Sequence, residues 1–288
     1  ALSSAASDVY KRQQKRRVKN LHTKEELYSN KIFFNAALPL VKVIANDVPS
    51  LKKQFAHVHA IIQVSAKDPD APGGKVGMHF VVNSDEWLVH LNKVDPNPHV
   101  ELEFKSVEAM NAFFKGKMSP ATLPKMKGVV THFGAFKAFL MTLLKMSSLL
   151  GATEAPKDEA TKELMVKCFF YLLSSGISQL NKMGHEDIHD WTSKSPDRVY
   201  AWAVDGYPSV SAYLRIKAGK SRAGRGDYKR AMPFFTLRFD NLDSALGILL
   251  GTDDMLEAVK TGHLIMDGAP EFGGQIGTYM LEVAALAK

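Results

Sequence analysis

The sequence predicts an α+β protein built as two tandem domains, each a mainly antiparallel sheet covered by helices on one face. Three observations predict it. First, the chain repeats itself. Lys31-Ile32-Phe33-Phe34 answers Lys167-Cys168-Phe169-Phe170 at an offset of 136. Leu102, Phe104 and Gly116 answer Leu237, Phe239 and Gly251 at 135, and Gly128 and Gly134 answer Gly262 and Gly268 at 134. Second, each copy carries runs in which apolar and polar residues alternate, the period of a half-buried strand. Third, each copy opens and closes with apolar residues spaced three and four apart, the period of an amphipathic helix. Helices flanking a set of strands make an α+β domain.

The N-terminal segment, residues 1–23, is a basic tail. Over residues 1–24 seven Lys and Arg side chains face Asp8 alone, so this stretch holds +6 of the formal +7 and the rest is near neutral. A folded nucleic-acid surface would concentrate Lys and Arg on the domain itself, so no nucleic-acid partner is expected. The tail is rich in Arg, Ser and Ala and poor in acids, like the end of a mitochondrial transit segment. It also reads as a solvated basic arm for an anionic membrane surface or a partner protein. The one cysteine, Cys168, excludes an internal disulfide.

Residues 24–150 form the first domain. Thr23 and Glu26 make a capping box before "KEELYSNKIFFNAALPLVKVIAN", the opening helix. In "HVHAIIQV" Val58, Ala60, Ile62 and Val64 share one strand face. "KVGMHFVV" and "HVELEF" supply further strands. Ser106 caps the helix "VEAMNAFFKG", and Gly116 ends it as a C′ glycine. "KMKGVVTHF" reads as a strand. The closing run "FGAFKAFLMTLLKMSSLLGA" is interrupted by Lys137 and Lys145. It is therefore an amphipathic helix, short of the roughly 18 unbroken apolar residues that span a bilayer.

Residues 151–157, small, charged and Pro-containing, form a linker, and 158–288 the second, more divergent domain. Its opening helix is "DEATKELMVKCFFYLLSSGISQLNKM". In "RVYAWAV" Val199, Ala201 and Ala203 oppose Tyr200 and Trp202. In "SVSAYLRIK" Val210, Ala212, Leu214 and Ile216 oppose polar neighbours. "GKSRAGRGDYKR" reads as a basic hairpin loop that could touch acidic lipid head groups, which also accounts for its RGD tripeptide. "MPFFTLRF" is a strand, Asn241 caps "LDSALGILLG", Gly251 ends it, and "KTGHLIMDG" precedes the last helix.

"LEFKSVEAMNAFFKGKMSPATLPKMKGVV" resembles the sterol carrier protein 2 family. A strand ends in Phe104, Ser106 caps a helix, and Gly116-Lys117-Met118-Ser119-Pro120 leads through a short helix to a strand containing Gly128. The second copy departs: Gly251-Thr252-Asp253-Asp254-Met255 lacks the Lys and the Pro. The resemblance implies a mixed five-stranded sheet in each domain, with an apolar tunnel between sheet and helices that holds a sterol, fatty acid or acyl chain. It implies no catalytic residues and no cofactor. Candidate lining residues in the first copy are Phe113, Phe114, Met118, Phe133, Phe136, Phe139, Leu140 and Leu144. Those in the second are Leu249, Leu250, Met255, Met266, Phe272, Ile276 and Met280. Met and Phe adapt to a flexible apolar ligand, and each buried CH₂ contributes about 0.8 kcal/mol. The same side chains are also what an ordinary core needs.

His185, Glu186 and His189 spell H-E-x-x-H, the pattern of a helical zinc site. Asp187 charges an inner position, and the first copy has "NDVPSLKKQ" at the matching place with no His. The motif falls where the first helix gives way to the first strand and is read as coincidence, with no metal expected. The expectation is a non-catalytic lipid-binding and transfer protein, the first copy being the better carrier. The alternative is a structural accessory subunit of a larger, mitochondrial complex that keeps the fold without the traffic.

Overall fold

The computed structural model describes residues 22–288, so most of the basic tail read from the sequence lies outside the described residues. Two five-stranded mixed sheets are present. The first contains β1 (His59–Lys67), β2 (Lys75–Asn83), β3 (Glu86–His90), β4 (Val100–Phe104) and β5 (Lys125–Lys127) in the order β3-β2-β1-β4-β5. The second contains β6 (Arg198–Val204), β7 (Ala212–Lys217), β8 (Lys220–Arg225), β9 (Phe235–Phe239) and β10 (Leu264–Asp267) in the order β8-β7-β6-β9-β10. The orders are the same. In each sheet the central strand pairs in parallel with the fourth, Val64 opposite Leu102 and Trp202 opposite Leu237, and every other pairing is antiparallel.

The helices also correspond. The first half opens with α1 (Lys24–Ile32), a π-helical turn (Phe33–Ala37) and α2 (Leu40–Asp47), followed by α3 (Pro49–Phe55). Pro39 has no N–H to give, and the ladder widens just before it, with Leu38 N donating to Phe33 O. The second half has no proline there and runs as one 24-residue helix, α6 (Glu159–Lys182), followed by α7 (Glu186–Lys194). Ser106 and Asn241 cap α4 (Val107–Phe114) and α8 (Leu242–Leu250), each accepting the N–H three residues on. Gly116 and Gly251 follow at φ 77° and 75°. The last helices are α5 (Phe133–Leu150) and α10 (Pro270–Ala287); α9 (Met255–Lys260) belongs to the second half.

Several sequence readings need correction. "GKSRAGRGDYKR" is not a loop: Lys220–Arg225 is the edge strand β8. It turns through Ala218 and Gly219, both at positive φ, as a two-residue hairpin requires. Gly224 lies where any Cβ would strike the ring of Tyr213 across the pair. β3 carried no periodic signal and went unread. The H-E-x-x-H segment does not lie in a mere connection, because a short helix fills this place in both halves. The glycine register also shifts. Gly128 and Gly268 occupy one position, leaving the last strand at positive φ against the start of β4 or β9. Gly128 therefore pairs with Gly268 and not with Gly262, because the second half inserts α9.

The inner sheet faces carry Ile62, Val64, Phe80, Leu102 and Phe104 in the first half and Tyr200, Trp202, Leu214, Phe235 and Leu237 in the second, all buried under helices. Burying one such side chain stabilises by about 1.5–3 kcal/mol. The cores form one continuous cluster. α6 lies at its centre, packing on α8 and α10 of its own half and on α1, the π turn and α2 of the other. Gly176 of α6 lets Val283 of α10 close to a distance no Cβ would allow. Asn35 Nδ2 donates to Gln179 Oε1 at 3.3 Å, Ser29 Oγ to Leu286 O at 2.9 Å, and Lys167 pairs with Asp47 at 2.7 Å, all across the halves.

Candidate functional site

α5 buries Ala135, Phe136, Ala138, Phe139, Leu143 and Met146 on one side. Its opposite side is apolar as well. Phe133 is 60% exposed and Leu144 56%, with Met141 exposed and Leu140 half-buried on the same stripe and Lys137 among them. The residues before it continue the pattern: Met118, Leu123, Met126 and Val130 are all exposed. From residue 109 to 153 the chain has no Asp or Glu and six lysines, Lys115, Lys117, Lys125, Lys127, Lys137 and Lys145. Of these, Lys127 pairs with Glu101. An apolar row set among lysines, with no acid in the same stretch, is an amphipathic surface rather than a solvated face.

The expected lining residues fall into three groups. Phe136, Phe139, Ile276 and Met280 are buried in the core. Phe113, Phe114, Leu140, Leu249, Leu250, Met255, Met266 and Phe272 are half-buried and pack against the core edge. Met118, Phe133 and Leu144 face outward. In the second half Met255, Met266 and Phe272 gather at α10. Gly273 gives Met266 room there, since a Cβ would meet its sulfur at 2.5 Å, and Met255 packs beside Gly277. Trp202 Nε1 donates to the sulfur of Met280 at 3.2 Å below them. Thioethers packed on glycines make a deformable seam between helix and sheet.

A groove with a volume of about 590 Å³ runs between α7 and α10. The sequence reading missed it, because it arises only when helices some 80 residues apart meet. α7 contributes Asp187, Asp190, Trp191 and Lys194, spaced to share one face, and α10 contributes Phe272, Gln275, Thr278 and Tyr279. The Trp191 ring packs, tilted, 5.0 Å from Tyr279 and 5.2 Å from Tyr200. Arg198 lies 4.0 Å over the ring of Phe234 and 5.2 Å from that of Phe272. The one sequence signal was the aromatic density of "DWTSKSPDRVYAW".

The H-E-x-x-H histidines have separate partners. His185 precedes α7 and its Nε2 lies 2.7 Å from Glu282 Oε1; His189 Nδ1 lies 3.1 Å from Asn181 Oδ1. A cluster with metal-ligand character lies elsewhere, at His22, Glu26 and Glu108. Its members are engaged: His22 hydrogen-bonds Glu108 and Asp68, and Glu26 closes the capping box on Thr23. Burial pulls the His22 pKa down, but the bonds to Glu108 and Asp68 outweigh it and raise the value. On the outer face of the first sheet Glu101 is fully buried, accepting from Gln63, Ser65, Lys75 and Lys127. Desolvation opposes its charge, yet these donors bring its pKa down to about 2. It is a closed structural network whose donors are already in place.

No family model matches the chain, and no curated protein does. Among solved structures the chain is similar to a conserved hypothetical protein of Thermus thermophilus described as a possible sterol carrier protein. The two are 17% identical, over 41% of this chain and 88% of that one, with a TM-score of 0.29. A UbiJ-SCP2 ubiquinone synthesis protein is 17% identical over 41% of this chain and 96% of its own, with a TM-score of 0.26. A sterol carrier protein 2 is 16% identical over 38% and 92%, also with a TM-score of 0.26.

Proposed function

We propose that this chain is a non-catalytic lipid-binding and transfer protein. It docks on an anionic bilayer through α5 and the segment before it, and takes a sterol, fatty acid or acyl chain between helices and sheet. One observation carries the reading: the outward apolar stripe of Phe133, Met141 and Leu144, within a 45-residue stretch that has lysines and no acids. Water disfavours that stripe, anionic head groups attract its lysines, and a bilayer satisfies both. Vesicle flotation with and without phosphatidylserine, together with mass spectrometry of lipids extracted from the purified protein, tests it. Flotation that needs phosphatidylserine and co-purified lipid are the expected results. No flotation and no lipid would overturn it.

A second reading is a structural subunit of a larger complex, for which the same stripe is a protein interface. What favours it is the second half, where Gly-Thr-Asp-Asp-Met replaces the Gly-Lys-Met-Ser-Pro stretch and is tied down locally. Thr252 bonds Gly247 O, and Asp254 caps α9. Sizing of a native extract separates the two: a carrier elutes near 31.8 kDa, a subunit far above it. The mitochondrial setting of this reading rests on the basic tail, outside the described residues.

A further inference from the structure

The α7–α10 groove is graded in charge along its length. Asp187 lies at the Tyr279 end, where its carboxylate adds to burial in raising the tyrosine's pKa. Asp190 is tied to Lys194 at 2.7 Å, and Asp187 has no ion-pair partner among the described residues. Lys194, Ser195 and Arg198 lie toward Phe272 at the other end. Arg198 lies over aromatic rings and makes no ion pair among the described residues, so its positive charge is not neutralised there. Behind it Tyr200 is 1% exposed, its hydroxyl buried beside Arg198, Ser195 and Trp191.

We propose that this groove binds a zwitterionic lipid head group, the anionic part at Arg198, the ammonium against the groove side of Trp191 and Tyr279 beside Asp187. A quaternary ammonium is attracted to aromatic faces, most of all to Trp, and the nearby carboxylate adds to this. The acyl chain continues past Phe272 into the methionine seam. The inference rests on the lipid reading above and adds the head-group class and the half of the molecule that recognises it.

Three detergent-like probes, each below its micelle concentration, test it by calorimetry: dodecylphosphocholine, dodecanoate and dodecyltrimethylammonium. The zwitterion should bind about tenfold more tightly than either singly charged probe. Arg198→Gln should weaken the phosphocholine and carboxylate probes and spare the ammonium probe. Asp187→Asn should weaken the phosphocholine and ammonium probes and spare dodecanoate. Equal affinity for dodecanoate and dodecylphosphocholine, or the same response of all probes to both substitutions, would overturn it. Thermal melts check each variant; should Arg198→Gln fail to fold, the exposed Asp187 decides the question alone. If probe selectivity fails while flotation and co-purified lipid persist, only this inference falls.

Discussion

His185 Nε2 lies 2.7 Å from Glu282 Oε1, a contact that fastens the start of α7 to α10. The ring of Tyr28, from the other half, packs 5.1 Å from the same imidazole. The residue that most suggested zinc chemistry therefore joins three helices. His185→Ala should lower stability by about 1 kcal/mol, as loss of a partly buried pair does, read as a fall in the melting temperature. Metal analysis of the purified protein should find no stoichiometric zinc; stoichiometric zinc that disappears in the variant would reverse this assignment.

Glu101 sets the acid response. Its pKa in the fold is about 2 against an ordinary 4.5, so its stabilising contribution is complete above about 4.5 and is lost as the pH falls toward 2. Urea unfolding followed from pH 6 to pH 2 should show a loss of stability in that window, and Glu101→Gln should flatten it. At neutral pH the same substitution should cost about 2 kcal/mol, because Lys75 and Lys127 lose a charged acceptor.

Gly128 is the least replaceable glycine of the first half. It sits at φ 80°, and a Cβ there would overlap the carbonyl oxygen of His99. Gly116 has a similar φ of 77° but open space around it. Gly116→Ala should cost about 1 kcal/mol for the left-handed backbone alone, whereas Gly128→Ala should cost several-fold more. Paired denaturation curves decide, and equal losses would contradict the packing described.

The proposed docking of α5 on a bilayer has an electrostatic consequence. Lys137→Glu and Lys145→Glu should each weaken binding to phosphatidylserine vesicles by at least the ~1 kcal/mol that a surface lysine contributes. Binding should weaken further with added salt. Phe133→Ser with Leu144→Ser should abolish flotation without lowering the melting temperature, since both side chains already face outward.

What could be read from the sequence followed the strength of local pattern. Ala212, Leu214 and Ile216 alternate because one side of β7 is buried, and this announced the strand. Lys220–Arg225 lies at a sheet edge, where polar side chains are tolerated on both faces, so β8 looked like a loop. The caps at Ser106 and Asn241 were visible because capping is local chemistry. The break at Phe33–Ala37 needed the joint effect of Pro39 and the packing of α6. For the lining residues, apolar character said which side chains avoid water, but not that Phe136 and Phe133 on one helix would face opposite ways. The groove of Trp191, Arg198 and Tyr279 depends on a tertiary meeting of two helices, and no local window contains it.

α6 packs on β7 and β8 of the second sheet and on the opening helices of the first half, and its consequence is mechanical. Neither half can loosen its helices without disturbing the beam on which the other leans. Calorimetry should record a single melting peak, and a molecule seated in one half should slow hydrogen exchange in the strands of its neighbour.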